Sequence, residues 1–521
     1  MSRHRCLRRS MVTTCVLALA AGTVVAADKP NILFIFTDDH ALQAISAYGS
    51  RINQTPHIDS IATAGVRFDN CFVGNSICGP SRATVLTGKY SHANGVYHNR
   101  NKLNADQPLV TRMLQEAGYA TAIIGKWHLQ IDPPGFDYSE VLIDQGTYYN
   151  SPMIRNGKQV EYTGYTTNVI TDRVLDWLET GRDKGKPFFL MYQHKTPHRP
   201  FDPAPEHFHM FENMTIPEPP LLFEDDSLRG TAARQSDMLI RETMDERDLK
   251  LIPPRELNEE QLAKWNAFYG ARNARFRELG LTGEALVRWK YQQFIKDYLR
   301  CVAALDDNVG RALRYLDESG LAKNTVVIYV SDQGFYLGEH GWFDKRWMYE
   351  HSLRTPLMIR WPGVAKAGTF CDAIVSNLDF APTFLEIAGA ATPADMHGRS
   401  LVPILKGEKP TDWRTSFYYH YYEFPAWHFV RKHYGVTDTR FKLIHFYEKD
   451  VNEWELYDLK FDPFELTNLY KNPTYAGVKD KMFAELQCLR KQLAVPEIDP
   501  AESMMGSFSP RTRPRTVSRE P

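Results

Sequence analysis

The stretch NILFIFTDDH, residues 31–40, sets an unbroken apolar run, Ile32 to Phe36, directly against Thr37, Asp38, Asp39 and His40. A run this short, without alternation of apolar and polar residues, predicts a strand buried on both faces, as in a parallel sheet. Working outward, the same pattern returns in YATAIIG (residues 119–125), PFFLMY (187–192) and TVVIYV (325–330). Helix-like segments such as PLVTRMLQEAG and NVITDRVLDWLETG lie between them. In YLRCVAALDDNVGRALRYLDESG, the residues Tyr298, Val302, Leu305, Val309, Leu313 and Leu316 share one helical face, and Gly320 closes it. Strand alternating with helix predicts an α/β domain: a large, doubly wound, mainly parallel sheet flanked by helices.

Each of the four strands runs into a polar cluster. They are Thr37-Asp38-Asp39-His40, Lys126-Trp127-His128, Gln193-His194-Lys195-Thr196-Pro197-His198 and Ser331-Asp332-Gln333-Gly334. In open α/β sheets the ligand site lies beyond the carboxyl ends of the strands, so the four clusters converge. Asp38, Asp39 and Asp332 repel one another strongly unless a cation sits among them. With the Gln333 amide oxygen they make an all-oxygen donor set. Such a set suits Ca²⁺ or Mg²⁺ rather than zinc, and Ca²⁺ accepts irregular geometry better. Adjacent aspartates after a strand can also simply cap the next helix. Arg82, Lys126 and Lys345 offer positive charge to an anionic substrate, and His128 and His198 can move protons. From the residues alone, this is a metal-assisted hydrolase of anionic esters.

The segment NSICGPSRATVLTGKY, residues 75–90, places Cys78 before Gly-Pro-Ser-Arg and a short helical run. Pro80 suits a first helical position and Gly88 a stop, so Cys78 is expected just before a helix N-terminus, where an anion is favoured.

The chain has 521 residues, 24% of them charged, with a formal net charge of -1; no basic field argues for nucleic acid. A basic MSRHRCLRRS, an apolar MVTTCVLALAAGTVV and Val25-Ala26-Ala27 read as a signal peptide, residues 1–27, cleaved before Asp28. Secreted or periplasmic export is expected, with no membrane span after its removal; Arg8-Arg9 leaves a twin-arginine route open. Of seven cysteines, Cys6 and Cys15 leave with the signal. The remaining odd number leaves at least one thiol unpaired, expected to be Cys78. Residues 28–410 are expected to form the catalytic domain, with a charged helical insertion near 223–289. A smaller C-terminal α+β subdomain (411–502) follows, built on the aromatic runs SFYYHYYEF, FKLIHFY and WELYDL, and then a disordered tail (503–521).

Taken together, CGPSR resembles the Cys-x-Pro-Ser-Arg signature of type I sulfatases, in the alkaline phosphatase superfamily. The resemblance continues through TGKYSHANGVYHN, GYATAIIGKWH, HKTPHRPF, NTVVIYVSDQGFYLGEHGWFDKRWMYE, TPLMIRWPG, NLDFAPTFLEIAG and MHGRSLVPIL, in family order, over nearly the whole mature chain. It implies an alkaline-phosphatase-like fold and oxidation of Cys78 to formylglycine by a formylglycine-generating or sulfatase-maturating enzyme. The hydrated aldehyde then attacks sulfur with one hydroxyl and expels sulfate through the other. By the same resemblance, Asp38, Asp39, Asp332, Gln333 and residue 78 hold the cation, and Arg82, Lys126 and Lys345 neutralise sulfate oxygens. His128 positions or deprotonates the diol, and His198 protonates the leaving alcohol. Gln333 departs from the Asn or His more usual there. The long SDQGFYLGEHGWFDKRWMYE resembles bacterial glycan sulfatases and the iduronate and glucosamine sulfatase branch. The expected substrates are therefore sulfated carbohydrates, either glycosaminoglycan or marine-type polysaccharide fragments.

In YYHYYEFPAWHFVRKHYGV, Tyr421, Tyr422, Trp427, His428, Arg431 and His433 are aromatic or basic; His428 and Arg431 are the expected substrate contacts, although the tyrosines can equally fill the small sheet's core. Two other readings remain: a phosphodiesterase or phosphonate monoester hydrolase of the same superfamily, and a non-catalytic glycan-binding relative. A thiol hydrolase using unmodified Cys78 with His128 leaves the three aspartates unexplained.

Overall fold

Strands form where the apolar runs predict them: Asn31–Thr37, Ala120–Gly125, Phe188–Gln193 and Thr325–Ser331. The computed structural model describes residues 29–505; the signal segment 1–27 and the tail from residue 506 lie outside the described residues. Ten strands make the main sheet, in the order Thr369–Cys371, Val66–Phe68, Leu357–Arg360, Thr325–Ser331, Asn31–Thr37, Phe188–Gln193, Ala120–Gly125, Tyr138–Leu142, Met153–Arg155, Lys158–Val160. The five strands from Thr325–Ser331 to Tyr138–Leu142 pair in parallel; of the flanking pairs only Thr369–Cys371 with Val66–Phe68 is parallel.

The first strand shows why the run carries no polar residue. Ile32, Phe34 and Phe36 pack on one face with Val326, Ile328, Val330 and Phe189. Leu33 and Ile35 pack on the other with Val327, Tyr329 and Leu190. Fully burying each such side chain contributes about 1.5–3 kcal/mol. Register then aligns the strand ends. Thr37 pairs with Ser331, Phe36 with Gln193 and Gly125 with Gln193, which puts Asp38, Lys126, His194 and Asp332 at one edge. Gly125 has φ +115, and a Cβ there would lie 1.7 Å from the Gln193 carbonyl oxygen. Only glycine lets the chain turn at that point into Lys126.

The helix predicted from Tyr298 onward is longer than its apolar face suggests, running from Gly283 to Glu318. Its six face residues are buried, and Gly320 follows at φ +75. Residue 289, the expected end of the insertion, falls inside this helix, so the charged segment feeds directly into a core element. The Tyr298 hydroxyl donates to the Asp39 carbonyl at 2.7 Å and accepts from the Ala41 N–H at 2.9 Å, which ties the helix to the site.

A second sheet of four antiparallel strands, Phe417–Tyr421, His433–Thr437, Phe441–Glu448 and Val451–Asp458, packs with the helix Ala476–Gln492. The strand His433–Thr437 is a correction to the sequence reading, which grouped His433 with possible substrate contacts. His433 is fully buried, its Nδ1 bonded to the Arg431 carbonyl and its Nε2 accepting from the Met348 N–H. Tyr421 is buried in the same core, and Tyr422 is buried against His420.

Candidate active site

Cys78 is the first residue of a helix, Cys78–Thr87, with Ile77 as its extended cap. The sequence placed Cys78 just outside the helix and Pro80 at its start. Pro80 falls third instead, at no hydrogen-bonding cost, because the first N–H groups of a helix have no intrahelical partner. Gly88 ends the helix at φ +65, as predicted. The thiol is buried and points to the Asp38 carboxylate, 3.4 Å from Sγ. Burial, with Asp38 beside it, pushes the thiol pKa far above its ordinary value, so the unmodified cysteine is a poor nucleophile here. All five cysteines among the described residues are unpaired, Cys78 with them.

Asp38, Asp39 and Asp332 are fully buried, with carboxylate oxygens within 4.8 Å of one another. Each is met by a base. Lys126 bonds Asp38, Lys345 Nζ donates to Asp39 at 2.7 Å, and Arg82 Nη2 donates to Asp332 at 3.2 Å. Burial works against ionisation of all three. Lys126, His198 and Arg82 nevertheless hold Asp38 well below the usual carboxylate range. Asp39 is pushed up to about 6 despite Lys345, and Asp332, close to Asp38, is raised strongly. Burial is the main reason that Asp39 and Asp332 resist ionisation, and a bound cation would offset it.

The donor set fits a hard divalent cation. Gln333 donates through Nε2 to Asp39 at 2.6 Å, while its Oε1 is buried with no hydrogen-bond partner. An orphaned amide oxygen beside three carboxylates is chemically suited to be a fourth hard donor. Asp39 sits at φ +66, His128 at φ +58, Asp344 at φ +95 and His428 at φ +61. Strained backbone of this kind persists where surrounding structure holds it, and here it gathers at one place.

A cavity of about 500 Å³ opens over Cys78. Of the residues expected from sequence, His128, His198, Lys345 and His428 also line it, whereas Arg82, Lys126 and the carboxylates lie behind its floor. His198 donates from Nδ1 to the Arg199 carbonyl at 2.7 Å, leaving Nε2 3.7 Å from Asp39. Burial keeps its pKa well below the ordinary value. His128 has Nε2 near Asp144, at 3.4 Å, and near the Gln145 amide, at 3.0 Å; its buried Nδ1 has no partner. Burial lowers its pKa too, and Asp144 opposes that. His428 is held between Asp237 and Asp344, at 3.3 and 3.2 Å. Arg431 does not line the cavity: its guanidinium is taken by Gln235, Asp450 and Glu448 and packs on the rings of Phe424 and Phe429. An aromatic, basic stretch gave no sign of which way each side chain turns.

Several site residues escaped the sequence reading. Gln193 accepts from Arg82 at 2.5 Å; it stood in a polar cluster without a role. Asn99 accepts from the Gly79 N–H at 2.8 Å, beside Cys78, and its own N–H donates to Glu423 at 3.0 Å. Arg346 donates to Glu423 at 2.8 Å and to Asp344 at 3.3 Å. Arg346 adjoins Lys345 and was legible as basic. Nothing in the chain around Glu423 signals that it reaches the cavity.

Two protein families match the chain: one described as "Sulfatase" over residues 30–390, the other as "N-sulphoglucosamine sulphohydrolase, C-terminal" over 338–492. An N-acetylglucosamine-6-O-sulfatase of Bacteroides thetaiotaomicron is 46% identical, covering 96% of this chain and 94% of its own. A human N-acetylglucosamine-6-sulfatase is 27% identical over 77% of this chain and 68% of its own. A solved structure of a protein in complex with its substrate, D-glucosamine-2-N,6-O-disulfate, is 47% identical with a TM-score of 0.88, covering 90% of this chain and 99% of that one.

Proposed function

The chain belongs to the sulfatase family and is a sulfuric ester hydrolase, and from that premise we propose that it removes the 6-O-sulfate of an N-acetylated or N-sulfated glucosamine. The observation that carries this reading is the near full-length likeness to proteins that act on 6-O-sulfated glucosamine. The cavity is of a size for a single sugar over Cys78, and it is lined by both basic and acidic side chains.

Formylglycine at position 78 would supply the nucleophile as a hydrated aldehyde, and a divalent cation held by Asp38, Asp39, Asp332, Gln333 and the group on residue 78 would supply positive charge there. Of the hard ions, Ca²⁺ fits the irregular donor set better than Mg²⁺. The protein's own charges point the same way. Three carboxylates and three bases sum to zero, so a dication leaves the site at a formal +2, matched to an anionic ester. Arg82, Lys126 and Lys345 are fixed by these pairs before substrate arrives, so they stabilise developing charge without reorganising: Lys345 from the cavity lining, Arg82 and Lys126 from behind its floor.

His128 acts as the base. With Nε2–H directed to Asp144, and to Gln145 once that amide is reversed, the unpartnered Nδ1 is free to take a proton from the group on residue 78. His198 delivers a proton to the departing alcohol from Nε2. Asp38 favours the charged imidazole this requires, while burial opposes it. Asp144→Asn removes the negative charge that raises the His128 pKa, so the acid limb of the kcat/KM profile is expected to move to lower pH. An unmoved limb would take Asp144 out of this role.

The same reading assigns residues 1–27 to an export signal with a secreted or periplasmic product, Cys78 to a maturation enzyme in the producing cell, and residues 411–502 to a separate subdomain. No helix among the described residues is long and apolar enough to cross a membrane. The substrate assignment is tested by incubating matured protein with N-acetylglucosamine 6-sulfate, its 3-sulfate and 6-phosphate counterparts, and glucosamine 2-N,6-O-disulfate. Release of sulfate from the 6-sulfated sugars at a rate at least tenfold above the others is expected. A preference for the phosphate would sink the reading.

A further inference from the structure

One wall residue of the cavity comes from far outside the sheet that carries the chemistry. Met505 reaches it at the end of a segment that leaves the helix Ala476–Gln492 and runs back across the molecule. This segment is fastened along its length. Arg490 donates to the Pro496 carbonyl at 3.2 Å. The Asp499 carboxylate accepts from Lys432 at 3.1 Å and from the Tyr447 hydroxyl at 2.9 Å, with His420 Nε2 3.9 Å away. Ser503 is fully buried and turns back on the Pro500 carbonyl through its hydroxyl. The Glu502 carbonyl accepts from Asn101 Nδ2 at 3.0 Å.

That last contact links the segment to the reaction centre. Asn101 belongs to the loop that supplies Asn99 and Arg100 to the cavity wall, and Asn99 holds the Gly79 N–H next to Cys78. Asn101 Oδ1 in turn accepts from the Tyr97 and His98 N–H groups, which closes the loop on itself. Ordering each residue of such a segment costs on the order of 1–2 kcal/mol of backbone entropy, which these fastenings offset.

We propose that residues 497–505 form a strap that positions the sugar: Met505 supplies apolar wall, and the Glu502–Asn101 contact holds the 98–101 loop, with Arg100, in the same wall, while Asn99 is held beside Cys78 by its own contacts to Gly79 and Glu423. This rests on the reading of a 6-O-sulfated glucosamine substrate. Met505 is suited to the task, since its flexible, polarisable side chain adapts to an irregular apolar surface such as a sugar face. The strap acts on substrate placement and not on the group at position 78, so it governs KM for the sugar.

The test uses matured protein in four forms besides the full chain: ending at Met505, ending at Pro496, Asp499→Ala and Met505→Glu. Steady-state kinetics are measured on N-acetylglucosamine 6-sulfate and on 4-nitrocatechol sulfate, a small aryl ester that does not fill the cavity, with melting temperatures for each form. The form ending at Met505 should match the full chain. The form ending at Pro496 should show a KM for the sugar at least tenfold higher, with kcat/KM for the aryl sulfate within about twofold of the full chain. Asp499→Ala and Met505→Glu should shift the sugar KM in the same direction, and they decide the matter if the shorter form fails to fold. Three results would overturn the proposal: an unchanged sugar KM without the strap, a loss already complete on removing only residues 506–521, or an equal loss on the aryl sulfate. Full-length protein that cleaves the aryl sulfate but not the sugar would overturn the substrate reading, and this proposal with it.

Discussion

Cys78→Ala is expected to lower kcat/KM for a sulfate ester by about 10⁴-fold or more, as loss of a nucleophile does, while leaving the fold intact. The side chain is small and buried, and its polar contacts are long, to Asp38 at 3.4 Å and from Gln333 Nε2 at 3.9 Å, so its removal costs only about 1 kcal/mol of stability. Cys78→Ser keeps the shape and one hydroxyl but lacks the second hydroxyl that expels sulfate, so it should react once and stall. Single-turnover release of alcohol without matching release of sulfate is the signature. The mass of the tryptic peptide Phe68–Arg82 from wild-type protein made with a maturation enzyme present should match an aldehyde in place of the Cys78 thiol. An unmodified thiol in active protein would break this mechanism, because burial beside Asp38 keeps the thiol from ionising.

Removing the cation is expected to have a comparable effect on activity and a measurable one on stability. Chelation should bring sulfate release to background, and added Ca²⁺ should restore it. A ligand at one hundred times its Kd stabilises the folded state by about 2.7 kcal/mol, so Ca²⁺ should raise Tm by several degrees over the chelated protein. The chelated protein should remain folded, because Lys126, Lys345 and Arg82 already pair with the three carboxylates. Asp332→Ala should abolish both the activity and the Ca²⁺-dependent rise in Tm. A Tm that follows Ca²⁺ in Asp332→Ala as it does in wild type would place the ion elsewhere.

The two effects are readily separated. Cys78→Ala should retain much of the Ca²⁺-dependent stabilisation, since it removes one of five ligands and only long contacts to Asp38 and Gln333, leaving four oxygen ligands. If instead Cys78→Ala lost the response to Ca²⁺ altogether, the group at position 78 would be the dominant ligand and not one of five.

The sequence by itself determined the sheet's central strands and the identity of the chemistry. A strand buried on both faces must be apolar throughout, so Ile32 to Phe36 and Val326 to Val330 announce themselves without reference to the rest of the chain. The polar residues after them stand out for the same reason, being the first side chains free of the core. Parallel pairing then leaves them little choice but to meet at one edge. Gly88, Gly320 and the long helical face from Tyr298 to Leu316 are likewise local signals, set by φ and by the helical period.

Only the tertiary structure decided the cavity wall. Asn99, Gln145, Arg346, Glu423 and Met505 come from loops, where no periodicity ties a side chain's direction to its place in the chain. His428 and Arg431 make the point most plainly. They lie three residues apart in one aromatic, basic stretch; His428 at φ +61 turns to the cavity, while Arg431 turns away to Gln235, Asp450 and Glu448. Their directions are settled by partners some 20 to 200 residues distant in sequence, in the second sheet's last hairpin and in the segment around Gln235 and Asp237, which meet this stretch only in the tertiary fold.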